Sequence, residues 1–280
     1  MNNPIGIMQG RLLPPVQGLI QAFPEEEWEK EFSSASELGI DCIEFIFGGD
    51  NPESHPLMNI KGIERINSLE KQTGVRVLSV CADYFMDYPL HRGDGRKALG
   101  VLNALIRNCG ILSVKDIIIP CVDRSGLKTL EEIRQLEVSL KKSFPLAEKL
   151  GINLTLETDL PPEGFIGLLR RFSSPNIKVN YDMGNSASLG YDPEEELDIY
   201  GRWITDVHIK DRTYKGGSVP LGEGDVNFHL VFSKLKRLGF SGIFILQTAR
   251  GQTGREKEKI KDYLSFLKRF IGGGKGSKWN

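Results

Sequence analysis

The sequence predicts one large α/β domain, a (β/α)8 barrel, with its active site at the C-terminal ends of the strands. Three observations predict it. Eight short apolar, β-branched runs recur along the 280 residues, each followed by a helical pattern. Alternating units of this kind build a parallel sheet, and eight is the number that closes a barrel. Several of the later runs then alternate polar with apolar residues near their ends, where a sheet buried on both faces should be continuously apolar.

The runs begin near Ile5, Ile40, Val75, Asp116, Ile152, Ile177, Ile204 and Ile243, at intervals of 25 to 41 residues. Helix candidates lie between them at Glu25–Leu38, Ile60–Gln72, Arg96–Asn108, Leu130–Leu150 and Lys257–Phe270. Gly39, Gly74, Gly110 and Gly151 each stand where a preceding helix should stop, as left-handed caps. Thr129 followed by Glu132 has the spacing of a capping box. The alternative, an open doubly wound sheet, wants a glycine-rich phosphate turn after the first strand. MQGRLLPP, which stands there, has no such turn, and the Pro/Gly-rich stretch Leu12–Gly18 reads as a loop at the barrel mouth. The expected domain is 1–271, with a Gly/Lys-rich disordered tail over 272–280.

A net charge of −1 provides no basic stripe for a nucleic-acid backbone. No run approaches the roughly 20 apolar residues of a membrane span, and the start MNNPIGIMQG lacks a charged leader region. Cys42, Cys81, Cys109 and Cys121 show no CxxC pairing and read as buried free thiols. Together these features predict a cytoplasmic protein with neither nucleic-acid nor membrane partners.

The chemistry lies in the alternating strands. In INLTLETD, Asn153, Thr155, Glu157 and Asp159 share one face. In IKVNYDMGN the pair is Asn180 and Asp182; in ITDVHIKD it is Asp206, His208 and Lys210; in GIFILQTA it is Gln247. The apolar residues between them must face the helices, so the polar set points into the barrel. Interior carboxylates cost several kcal/mol unless paired or metal-bound. A Glu, an Asp, a His and an amide oxygen converging on one point suit Mn2+, Mg2+ or Co2+ better than a structural zinc. Gln9, Arg11, Glu44, Asp83 and Asp123 ring the same mouth. Each residue alone also has a structural reading: His208 as a core histidine, Glu157 as an ion-pair partner of Lys210, Asp182 as a turn former, and Glu44, Asp83 and Asp123 as local turn or salt-bridge residues. His55, His91 and His229 read as solvated or loop residues.

Beyond these features, MQGRL, GIDCIEFIF, TGVRVLSVCAD, LTLETD, NYDMGN, VHIKDR, PLGEGDVNF and FILQTARG together resemble the sugar-phosphate isomerase/epimerase family of xylose-isomerase-like TIM barrels. In arrangement they are nearest to its pentulose-5-phosphate 3-epimerase-like members. The resemblance implies metal ligands at Glu157, Asp182, His208 and Gln247. The last departs from the family, which has a Glu there that works with the first Glu on opposite faces of the substrate carbon. An amide can lend its oxygen to a metal but cannot take a proton.

The function implied is a metal-dependent isomerase or epimerase of a sugar or sugar phosphate, working through an enediolate. Glu157, Lys210 and Gln247 are the expected catalytic residues. Gln9, Arg11, Glu44, Asp83, Asn185, Arg212, Glu223 and Arg250 are the expected substrate-binding residues, the arginines for a phosphate or carboxylate. The expected cofactor is a divalent ion, Mn2+ ahead of Mg2+, Co2+ or Zn2+, and homo-oligomers are common among such barrels. Two other classes stay open, a dehydratase or lyase on a polyol or cyclitol and a sugar-binding barrel without activity, while the pattern argues against a third, an apurinic endonuclease. The last wants a histidine-rich zinc site, and this chain has four histidines in all.

Overall fold

The computed structural model describes residues 1–93 and 95–272. The tail expected from 272 onward therefore lies outside the described residues, apart from Gly272. Eight parallel strands close into a barrel: β1 (Ile5–Met8), β2 (Cys42–Ile46), β3 (Arg76–Cys81), β4 (Asp116–Cys121), β5 (Asn153–Thr158), β6 (Ile177–Asp182), β7 (Ile204–Ile209) and β8 (Ile243–Leu246). Each pairs with its sequence neighbours, and β8 closes on β1 through Ile5–Phe244, Gly6–Ile245 and Ile7–Leu246. Every expected strand start falls within two residues of an observed one.

The helices follow the apolar spacing. Ile60–Thr73, Leu130–Leu150 and Glu256–Ile271 match their expected ranges closely. Thr129 and Glu132 form the capping box, each side chain bonding the other's backbone N–H. Two expectations need correction. The first helix runs only from Lys30 to Glu37; before it the chain makes tighter i→i−3 turns, Glu27 N–H to the Pro24 carbonyl and Lys30 N–H to the Glu27 carbonyl. Gly110 is not a cap: it lies inside the helix Arg96–Leu112, and Ser113, at φ 59°, takes the left-handed position. The reason for glycine at 110 is close approach, since a Cβ there would stand 3.1 Å from Leu150 Cδ1 on the next helix.

The alternation in the strands separates two environments. Leu154, Leu156, Val179, Tyr181, Val207, Ile209, Phe244 and Leu246 pack outward, in one core with the helix side chains. Inside the barrel, a separate apolar cluster of Met8, Cys42, Ile46, Cys81, Ile243 and Ile245 fills the β8–β1–β2–β3 side. The rest of the interior is polar. At its floor, Asn153, Thr155 and Thr205 all donate to Asp116 Oδ1, at 3.0, 2.8 and 2.6 Å. Above it Asn180 Nδ2 donates to Asp206 Oδ1 at 2.9 Å. All four cysteines are buried and unpaired, as expected.

Candidate active site

The C-terminal ends of β5, β6 and β7 bring Glu157, Asp182 and His208 together. Their ligand atoms lie within 4.8 Å of one another, and all three residues are buried. Strand register explains the convergence, since Asp182 and His208 are direct partners across β6 and β7. Asp182 also caps the helix Met183–Leu189 that starts immediately after it, its Oδ1 accepting from the Asn185 N–H at 2.8 Å. That turn folds Asn185 back over the site, where its Nδ2 donates to Glu157 Oε1 at 2.8 Å.

Lys210, just past β7, spends all three ammonium hydrogens here. It donates to Asp182 Oδ2 at 3.1 Å, Asn185 Oδ1 at 3.2 Å and Gln247 Oε1 at 3.1 Å. The ion-pair partner of Lys210 is thus Asp182 rather than Glu157. Its aliphatic stem crosses Gly184 so closely that a Cβ there would stand 2.7 Å from Lys210 Cγ. This accounts for the glycine in NYDMGN. Gly184→Ala is expected to push the Lys210 ammonium off its three acceptors while keeping the helix. Its measurable signature is lost activity with a melting temperature within a few degrees of wild type.

His208 is fully buried and flanked by carboxylates on both sides. Nε2 bonds Glu44 Oε1 at 2.8 Å, and Nδ1 has no hydrogen-bond partner, with Asp182 Oδ2 3.8 Å away. Burial alone would lower the pKa of this imidazole; Glu44, Asp182 and Asp206 outweigh it and raise the pKa well above its usual value. Burial lifts Glu157 to about 7, with His208 pulling it down and Asp182 pushing it up. Asp182 goes the other way: Lys210 and His208 overcome its burial and hold it below the ordinary carboxylate range. Two neighbouring carboxyls thus differ sharply in proton affinity, a pattern that separates an acid–base group from a ligand. A buried imidazole nitrogen without a partner, beside two carboxylates, is a donor set that fits a divalent cation.

The remaining candidates divide. Gln247 faces the centre through Lys210, and its Nε2 donates to Gln21 Oε1 at 3.2 Å. Gln21 Nε2 continues to Asp83 Oδ2 at 2.9 Å, so Asp83 joins the rim through Gln21. Arg212 reaches Asn185 Oδ1 with Nη1 at 2.8 Å and binds the Gly216 carbonyl with Nε and Nη2. Gln9 and Glu44 lie deep in the barrel, fully buried, and Gln9 Oε1 accepts from the Ile46 N–H. Arg11 and Arg250 spend their donors on the mouth loop: Arg11 on the carbonyls of Thr248 and Ile20, Arg250 on those of Ile20 and Leu13. Glu223 and Asp123 are exposed. His229 is exposed, but His55 and His91 are buried, against expectation. His55 sits among Phe23, Phe45 and Phe47, bonding the Ile46 carbonyl and the Leu57 N–H.

Three residues that hold the rim went unnoticed in the sequence. Gln21 has no signal, being a lone amide in a loop. Asp211 accepts the N–H groups of Gly222, Gly224 and Val226, so the glycines of LGEGDV shape a loop around a carboxylate. Glu31 accepts the N–H groups of Gly10 and Leu12 at 2.7 and 3.0 Å and fixes the mouth loop. A signal for Glu31 existed, because it shares the buried helix face with Trp28, Phe32 and Ala35. Burial raises Glu31 to about 7 from 4.5, partly offset by those two N–H groups and Arg11. The native state therefore binds the extra proton between those values, and the stability contributed by this group falls as pH rises through that window. The expected loss is roughly 3 kcal/mol at most. Urea unfolding at pH 5 and pH 8 should show a smaller pH dependence for Glu31→Gln than for wild type.

Residues 32–270 match the family model described as xylose isomerase-like TIM barrel. L-ribulose-5-phosphate 3-epimerase UlaE of Shigella flexneri serotype 5b (strain 8401) is 28% identical over 245 residues, covering 81% of this chain and 84% of that protein. Among solved structures, D-psicose 3-epimerase in the presence of D-fructose superposes with a TM-score of 0.76 at 15% identity, covering 96% of this chain and 100% of that one. The IOLI protein with a binding zinc atom superposes with a TM-score of 0.74 at 16% identity, covering 96% and 100%. At such identities the superpositions speak for the fold alone, whereas the family model spans most of the sequence. With eight strands closed in the expected order and that match over residues 32–270, the chain belongs to the xylose isomerase-like TIM barrel family.

Proposed function

We propose that the protein is a metal-dependent epimerase or isomerase of a sugar or sugar phosphate, with residues 1–271 as one catalytic unit. The observation that carries this reading is the cluster of Glu157, Asp182 and the unpartnered Nδ1 of His208 in the barrel mouth. Those three residues would hold a divalent ion, with Mn2+ ahead of Mg2+, Co2+ and Zn2+, and Gln247 Oε1, which accepts from Lys210, would be the neutral fourth donor. The ion supplies Lewis-acid polarisation of the substrate carbonyl. The named relative acts on a pentulose phosphate, and this supports the same substrate class here.

The chain's own residues account for the proton. Glu157, lifted to about 7 by burial, is matched to accept a carbon-bound proton near neutral pH. The C–H electron pair moves into the new carbon–carbon double bond, and the former carbonyl oxygen gains negative charge. Lys210 donates to that oxygen once the substrate displaces one of its three acceptors, the neutral Gln247 Oε1, while Asp182 and Asn185 keep the ammonium in place. Asn185 orients Glu157 through its Nδ2, and Arg212 backs Asn185. Transfer of the neighbouring hydroxyl proton to the former carbonyl oxygen, with return of the carbon-bound proton by Glu157 to the adjacent carbon, gives aldose–ketose isomerisation on one face. Epimerisation needs a second proton donor on the other face, which Gln247 cannot be.

The test is exchange of the substrate α-proton with deuterium in D2O across a panel of ketoses, aldoses and their phosphates. Exchange from one face supports the one-base isomerase, and two-face exchange supports an epimerase with another second acid. No exchange on any member, despite bound metal, overturns the reading in favour of a lyase or a sugar-binding barrel.

A further inference from the structure

We propose that Glu44 is the positioning residue of the metal centre. It accepts a hydrogen bond from the Nε2–H of His208 and so presents Nδ1, with its lone pair free, to the cluster at the mouth. The inference rests on the metal reading above and concerns a residue outside the ligand set.

The geometry points one way. Glu44 stands on β2 and His208 on β7, so the carboxylate reaches across the barrel interior to Nε2, at 2.8 Å. A carboxylate accepts only, so in this bond Nε2 must carry the hydrogen. In the neutral ring the lone pair then sits on Nδ1, the nitrogen that has no partner and faces Asp182. Asp206 is the other carboxylate near Nε2, but it is 3.7 Å away, beyond hydrogen-bond distance, and its Oδ1 is already taken by Asn180.

Glu44 is itself held. Its Oε2 accepts from Ser79 Oγ at 2.6 Å, and Ser79 is its register partner on β3. Both oxygens are therefore committed, and neither residue has any exposed surface. Ser79, Glu44 and His208 form a line from β3 through β2 to β7 that ends at the ligand atom. Partners of this kind fix the tautomer and ring orientation of a ligating histidine, and losing them typically costs 10–100-fold in metal affinity.

Zn2+ is the probe, because it is diamagnetic. Long-range 1H–15N correlation spectra of the full chain should show Nε2 of His208 protonated in the Zn2+-loaded protein, with Nδ1 as the metal-bound nitrogen. Glu44→Ala should weaken Zn2+ about 10–100-fold and leave His208 a mixture of tautomers. Glu44→Gln, whose amide oxygen still accepts from Nε2, should recover most of the affinity and the single tautomer. Asp206→Asn is the control and should bind Zn2+ within a few-fold of wild type. Nε2 as the metal-bound nitrogen, or Glu44→Ala binding as tightly as wild type with one tautomer, overturns the assignment while leaving the metal site intact. A wild type that binds no Zn2+ overturns the metal reading and this inference with it. Should Glu44→Ala fail to fold, the wild-type tautomer and Glu44→Gln still decide.

Discussion

Glu157→Gln should abolish α-proton exchange, lowering its rate by about 10^2 to 10^4-fold, the usual contribution of a positioned general base. Glutamine nearly preserves the volume and keeps an oxygen that can accept from Asn185 Nδ2, so the first turn of the helix Met183–Leu189 should remain over the site. What is lost is the ability to accept a proton, and one anionic ligand with it, so bound metal is measured beside exchange. Burial raises the proton affinity of the Glu157 carboxyl, the direction a general base needs. Exchange measured by proton NMR in D2O reads this directly, and circular dichroism checks that the fold is kept. Exchange at the wild-type rate in Glu157→Gln would place the base elsewhere and remove the central step of the mechanism.

His208→Ala should erase metal-dependent stabilisation. At a hundredfold excess of Mn2+ or Co2+ over its Kd, linkage raises wild-type stability by roughly 2.7 kcal/mol. The variant has lost the only nitrogen of the cluster and should show no shift. It should also be less stable without metal, by about 3–5 kcal/mol, the usual cost of breaking a buried ion pair, because Glu44 keeps its desolvation and loses its Nε2 partner. Melting curves with and without Mn2+ separate the two effects. A metal-dependent shift that survives in His208→Ala means that the ion binds elsewhere.

Much of this fold was legible because a barrel writes its geometry into spacing. Strand starts followed from apolar runs, and Gly74 and Gly151 marked helix ends because only a residue comfortable at positive φ stops a helix in that way. Gly110 misled because close packing and capping select the same residue. The convergence of Glu157, Asp182 and His208 was legible for a related reason: polar residues at alternate positions on consecutive strands must share the barrel interior. The depth of those residues was not. Glu44 looked like a residue of the mouth, yet it lies deep in the barrel against His208, because register around the whole ring of strands decides which inward side chains meet. The arginines were misleading in kind. Arg11 and Arg250 carry the donors a phosphate would want, but those donors hold the carbonyls of Leu13 and Ile20 in the mouth loop and of Thr248 after the last strand. Gln21 and Asp211 act through contacts distant in the chain or made to backbone, which no local pattern displays.

The measurement that bears most directly on the central claim is metal content per chain. Wild type and His208→Ala would be equilibrated with Mn2+, passed through a desalting column and analysed for bound metal. About one ion per chain is expected in the wild type, because the two groups that could hold one among the described residues, Glu157, Asp182 and His208 and Glu44, Asp206 and His208, share a single imidazole, and none in the variant. A wild type that retains no metal and shows no metal-dependent change in melting temperature would contradict it.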